Sequence, residues 1–425
     1  MNRRQLYLIL VVSAISGLAL LLITQSTAVW RPQVSLLGDT PQSRLRFGTS
    51  LDISLPYIVV GAPLDGDPGT AYVFIQQAGV WRRQARLIPS EKGLLAEGFG
   101  GSVSIDRDVI AVSAASALRT STSSGREGVV YIFQRRGQQW IQQARLFPPL
   151  PSSQSYLKGS VALKGDTLAV GEQDAVHIFN RDRQTDQWIY AETLTASQPR
   201  TTSFNTVRVK FGPQLALSET TLAVGGDSVD GGNRLTIFTR NSTTKRWIRQ
   251  AELFPKGADE QGFGHSLALE NNTLVVGSST RGLAPWFHGS ASVFERHNDQ
   301  WQRVAVLKPR GRHIDIGIFN WMYRYGFGAQ VAIHNGYIAV IAQDSPDLVS
   351  LFGSNSHTEA FLFQQEATTK RWRQQTKLLS AQSQQQSFES IKITSDEVMV
   401  GDIGAQISES NDPTGAVHIF RFPAK

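Results

Sequence analysis

Seven times the chain writes Trp, five residues, then Leu: Trp30–Leu36, Trp81–Leu87, Trp140–Leu146, Trp188–Leu194, Trp247–Leu253, Trp301–Leu307 and Trp372–Leu378. The copies follow one another at intervals of 48 to 71 residues. Side chains alternate along a β-strand, so a separation of six is expected to put Trp and Leu on one face. Seven copies of one strand mean a repeated sheet, not a single globular core.

Two further ladders accompany the first. One reads Tyr72-Val73-Phe74, Tyr131-Ile132-Phe133, His177-Ile178-Phe179, Thr236-Ile237-Phe238, Ser292-Val293-Phe294, Phe361-Leu362-Phe363 and His418-Ile419-Phe420. The other reads Ile58-Val59-Val60-Gly61, Ile110-Ala111-Val112-Ser113, Leu168-Ala169-Val170-Gly171, Leu222-Ala223-Val224-Gly225, Leu274-Val275-Val276-Gly277, Ile338-Ala339-Val340-Ile341 and Val398-Met399-Val400-Gly401. Ahead of each lies an alternating stretch, opened by Phe-Gly at Phe47, Phe99, Phe211, Phe263 and Phe327, by Leu157-Lys158 in the third unit and by Phe388-Glu389 in the seventh. Each unit thus holds four strands, A to D. Its second strand is apolar at nearly every position, as a strand buried on both faces must be. Blades stacked around an axis supply that burial. The fold class is all-β, a seven-bladed β-propeller of four-stranded antiparallel blades.

The unit resembles the FG-GAP repeat of integrin α-subunit heads and of exported bacterial proteins. Phe47-Gly48 followed by Val60-Gly61-Ala62-Pro63 carries the resemblance most completely, and the resemblance spans about residues 30–425. It implies the propeller and leaves function open, because function lives in sites grafted on a fold.

The last unit stops after Phe420 with no Trp strand of its own, and the first Trp strand has no unit before it. The N-terminal strand is therefore expected to complete blade seven and remove an open sheet edge. Residues 29–425 form the propeller. Residues 1–28 are read as a signal peptide or a membrane anchor. Arg3 and Arg4 precede an uncharged apolar run, Leu6 to Ile23, and Ser26-Thr27-Ala28 offers a small-x-small cleavage site. The run is short for a span and long for a signal. Both readings place the propeller outside the cytoplasmic membrane: periplasmic, at the cell surface or secreted.

The net charge of +7 is scattered, which suits solubility better than nucleic-acid binding. Without Cys, disulfides, lipoprotein anchoring and thiol catalysis are excluded. The resemblance directs attention to the A–B hairpins, where calcium-binding relatives carry an Asp-rich loop. Here those hairpins are short: Ile105-Asp106-Arg107-Asp108, Lys164-Gly165-Asp166-Thr167, Ser218-Glu219-Thr220, Glu270-Asn271-Asn272-Thr273, His334-Asn335-Gly336 and Ser395-Asp396-Glu397. None supplies the six or more oxygens that calcium takes, so these read as turn residues. Asp65, Asp67, Asp227 and Asp230 read as Asp-containing turns in B–C loops. No metal and no cofactor is expected. The His residues are dispersed, and no HExxH, GxSxG or P-loop occurs.

Two Trp residues fall outside the ladder. Trp286, with Phe287 and His288, lies in the B–C loop of blade five. Trp321, with Tyr323, Arg324 and Tyr325, lies in the D–A connection into blade six, near Arg312. B–C and D–A loops leave a propeller on the same face, so these residues are candidates for a partner site. Folding back onto the core is the competing reading. The expected function is an extracytoplasmic, non-catalytic interaction module, acting as a monomer and binding another protein. The alternatives are a carbohydrate-binding propeller for a cell-surface glycan and, third, a propeller hydrolase or lyase.

Overall fold

Neighbouring blades contribute alternate side chains to a common layer, so the protein has seven apolar layers in place of one core. The computed structural model describes residues 28–39, 45–91, 96–119, 126–149, 160–172, 175–195, 201–202, 205–206, 214–226, 234–257, 260, 262–279, 289–309, 324–345, 358–379, 387–406 and 414–423. Among these, seven sheets share the A–B–C–D order. Blade one comprises Ser50–Ser54, Tyr57–Ala62, Thr70–Gln77 and Val80–Leu87. Blade seven comprises Phe388–Ile393, Glu397–Asp402 and Ala416–Arg421, and takes Val34–Leu36 as its D strand. The A strands touch in one cycle from blade one to blade seven and back to blade one. The N-terminal strand closes the ring, as the repeat arithmetic expects.

Closure uses two strands where one continuous strand was expected. Ala28–Trp30 adds in parallel to the D strand of blade six, Trp372–Leu378, and Val34–Leu36 then pairs with Ala416–Arg421. Trp30 packs with Phe422 at 5.8 Å between ring centroids, and Phe422 stacks on Tyr337 of blade six at 4.7 Å. The apolar run at residues 6–23 lies outside the described residues, and no described helix is long and apolar enough to cross a membrane.

The Trp-x5-Leu ladder differs from expectation in one respect. Trp and Leu lie on opposite faces of their sheet. In blades one to six the C–D pairing slips by one residue just before the ladder Phe, at Val73/Phe74 in blade one and Ile132/Phe133 in blade two, for example. Such a bulge inserts one residue and reverses the alternation. Trp81 therefore enters the layer between blades seven and one, whereas Leu87 enters the layer between blades one and two. The same split holds for Trp140 and Leu146. One D strand thus grips both of its neighbours. The indole N–H groups of Trp81, Trp140 and Trp301 each donate to the preceding blade, to Glu397, Gln84 and Gln250 respectively.

The Phe-Gly and Val-Gly halves of the repeat signature meet across blade seams. At the seam between blades seven and one, a Cβ on Gly401 would lie 2.1 Å from the Gly48 carbonyl oxygen, and Gly48 has φ +94°. Only glycine satisfies both demands. Ser390 Oγ donates to that carbonyl at 2.7 Å. Ser50 makes the same bond to Gly100, and Ser266 to Gly328.

Candidate functional site

Two regions come into question: the loop face, where B–C and D–A connections emerge, and the axis, where the A strands converge. On the loop face, Trp286, Phe287, His288, Arg312, Trp321 and Tyr323 lie outside the described residues. Arg324 and Tyr325 open the A strand of blade six, with Ser345 and Asp344 as backbone partners. The roots of the two loops are described, and they are adjacent. The B–C loop of blade five leaves at Ser278 and returns at Gly289, which bridges Phe327 in parallel. Ser279 Oγ donates to the Gly326 carbonyl at 3.3 Å. The connections bearing Trp286 and Trp321 therefore spring from one seam.

At the axis, the hairpin residues do more than turn the chain. Acidic side chains near the ends of A strands reach across to the next blade and accept its backbone N–H. Asp106 accepts Gly165 N at 3.0 Å, and Glu270 accepts Asn335 N at 2.8 Å. Each also meets a basic side chain of that blade, Lys164 Nζ at 3.0 Å and His334 Nδ1 at 2.8 Å. One tier inward, Asp52 accepts Ile105 N at 2.8 Å and Ser104 Oγ at 2.9 Å from blade two, and pairs with Lys392 of blade seven at 2.9 Å. Asp52 thus ties three blades together. Burial alone would raise the Asp106 carboxyl, but Lys164, the Gly165 N–H and Arg107 outweigh it, and the group titrates below the usual carboxylate range. Asp52, Ser104, Asp106, Lys164 and Lys392 border an axial cavity of about 310 Å³. Asp52 and Lys392 escape a sequence search because each is an isolated charge in an alternating strand. Their signal is opposite charges at the same A-strand position in blades one and seven, the first and last of the chain.

A third polar feature sits within the blades. His177 Nδ1 meets Thr193 Oγ1 at 2.8 Å, with Glu172 3.5 Å from Nε2. His418 Nδ1 meets Ser35 Oγ at 2.9 Å, with Asp402 3.5 Å from Nε2. In both, the histidine lies opposite the hydroxyl residue in the C–D pairing. The equivalent slot of blade one holds Tyr72, whose hydroxyl donates to the buried Asp65 carboxylate. Burial first, then Asp65, pushes this phenol above its ordinary value. A slot filled by hydroxyl, imidazole and carboxylate groups in repeating fashion cross-links strands, and neither histidine borders the axial cavity. The Asp65 carboxylate is committed to Tyr72. Asp227 and Asp230 lie outside the described residues. Among the described residues, no group of three or more His, Asp or Glu is placed to share a metal.

Residues 30–74 and 81–133 match the FG-GAP repeat family model. No curated protein matches the chain. A solved protein from Lactobacillus plantarum is similar in fold, with TM-score 0.50 and 10% identity, over 86% of this chain and 99% of that one. The periplasmic gluconolactonase of Pseudomonas aeruginosa aligns with TM-score 0.46 and 13% identity, over 78% of this chain and 85% of that one. A Bacteroides fragilis protein named as a candidate 6-phosphogluconolactonase aligns with TM-score 0.45 and 11% identity, over 77% and 82%. The expectation that the chain is not an enzyme is corrected by these neighbours. A ring of blades is no ground for excluding catalysis, because function lives in sites and not in the fold. At this similarity they bring no activity to this chain.

Proposed function

We propose that this chain, an FG-GAP repeat β-propeller, acts outside the cytoplasmic membrane as a docking platform for another protein, held by the loops over blades five and six. The observation that carries the reading is the common root of two loops. Gly289 and Phe327 are bridged across one seam, and the loops above them hold the two Trp residues that the blade ladder does not use. Loops tolerate change, so a Trp there needs packing or a ligand to explain it. Trp, Tyr and Arg are also the residues that anchor protein complexes. The extracytoplasmic placement rests on Arg3, Arg4 and the apolar run that follows.

The test is capture from an extracytoplasmic extract by the purified propeller and by its Trp286→Ala/Trp321→Ala variant. One Trp anchor is worth about 2 kcal/mol, roughly 30-fold in affinity. The variant should keep its circular dichroism and melting curve and lose the captured protein. Retention of the partner by the folded variant would remove the site from these loops. Loss of folding would assign both Trp residues to the core. Capture of a glycan would turn the reading to sugar binding.

A further inference from the structure

We infer that the axial cavity is a binding site for a small anion bearing a carboxylate or phosphate group, held by Lys164 and Lys392. The argument is one of unmatched donors. The cavity brings together two lysines and two aspartates. The aspartates are supplied. Asp52 receives Lys392 Nζ on one oxygen, and Ser104 Oγ and Ile105 N on the other. Asp106 receives Lys164 Nζ on one oxygen, and Gly165 N and Arg107 Nε on the other. The lysines are not supplied to the same degree. An ammonium carries three donors, and among the described residues each of these lysines commits one, to its aspartate. Lys164 and Lys392 remain 42% and 40% exposed, against 10% for Asp106 and 15% for Asp52.

Charge at this site is balanced, but hydrogen-bonding capacity is not. The carboxylates are the less exposed partners of each pair, and the two lysines line the void with donors that no described residue takes up. The acidic acceptors of the lining, Asp52 and Asp106, already hold their donors, so the free capacity a ligand meets is ammonium N–H, and charge-assisted bonds to an anion are the strongest available. Lys164 belongs to blade three and Lys392 to blade seven, so the two cations approach the axis from well-separated blades. The cavity, about 310 Å³, is at the small end of ligand pockets. It suits a compact anion and not a polymer. The site is built by A strands and their hairpins. It owes nothing to the loops over blades five and six, so it stands or falls apart from the docking reading.

Inorganic phosphate is the probe, titrated into the purified full chain by isothermal calorimetry at constant ionic strength. Saturable binding is expected. Lys164→Ala and Lys392→Ala should each weaken it about tenfold or more, the scale of one lost charge-assisted bond. Lys245→Ala, in an exposed C–D hairpin, should leave it unchanged. Asp106→Asn gives the independent arm: it keeps a side chain of the same shape and removes the competing charge, so phosphate should bind more tightly. Absence of saturable binding, or affinity indifferent to both axial lysines, would overturn the assignment. So would an Asp106→Asn variant that is folded and binds no better.

Discussion

Two neighbouring seams solve the same packing problem in opposite ways. Between blades seven and one, backbone meets backbone: Gly401 abuts the Gly48 carbonyl, and Ser390 holds that carbonyl in place. Between blades six and seven, the equivalent positions are Ile341 and Glu389. Glu389 is not among the residues with positive φ. Ile341 is fully buried in the apolar layer between the two blades. The contrast runs around the ring. Where a blade ends its B strand in Gly, as at Gly61, Gly171, Gly225, Gly277 and Gly401, the next blade begins with Phe-Gly. Where it does not, at Ser113 and Ile341, the next blade has Leu157-Lys158 or Phe388-Glu389. The signature is one joint whose halves lie on different blades, and the halves are kept or lost together.

The largest effect should come from forcing one joint into the other's chemistry. Gly401→Val places a side chain against the Gly48 carbonyl and should cost about 3 kcal/mol or more, read as a large drop in the unfolding midpoint. A small change would mean that the seams are interchangeable. Next, Ile341→Ala empties the side-chain seam and should cost about 2–4 kcal/mol. Trp30→Ala tests the strand pair that closes the ring beside both seams. Trp30 is only partly buried, in contrast to Trp140, so a loss of about 2 kcal/mol is expected, less than the 3–5 kcal/mol typical of a core Trp. Equal losses for the two Trp residues would show closure to be stronger than its burial suggests.

A smaller, pH-dependent effect belongs to the axis. The Asp106 carboxyl titrates below its unfolded value. Its contribution to stability is therefore present above the ordinary carboxylate range, near pH 4, and is lost as pH falls through the lowered native value. Asp106→Asn should flatten that acid limb while leaving its slope above about pH 6 unchanged. Melting curves from pH 2 to 7 decide it, and an unaltered acid limb would count against the pairing with Lys164 and Gly165. Smallest of all, Glu389→Gly alone should shift stability by no more than about 0.5 kcal/mol. Half a glycine joint has nothing to close against while Ile341 stands opposite.

Much of the architecture is legible without coordinates. Repeats of Trp-x5-Leu, the apolar B strands and the missing last strand already imply seven blades and a borrowed N-terminal strand. The Trp–Leu geometry is not legible, because one bulge residue reverses the side-chain alternation and leaves no mark in a six-residue spacing. The axial ties are legible only in hindsight. Asp106 and Glu270 sit in short hairpins where an acid ordinarily serves the turn, and their partners Lys164 and His334 lie about 60 residues away. The candidate Trp loops are read from the sequence alone, and the structure adds the shared root at Gly289 and Phe327.

The sequence by itself determined the seven four-stranded blades and their order, because period and repeat are properties of neighbours along the chain. The matched repeats, 30–74 and 81–133, each run from a D strand to the next blade's C strand. That phase already dictates a ring closed by its first strand. Only the tertiary structure decided which glycine meets which carbonyl, which acid meets which lysine, and that two cations face one cavity with donors to spare. Those contacts join residues from about 40 to more than 300 positions apart. Their geometry exists only once the ring has closed and brought each blade against the next.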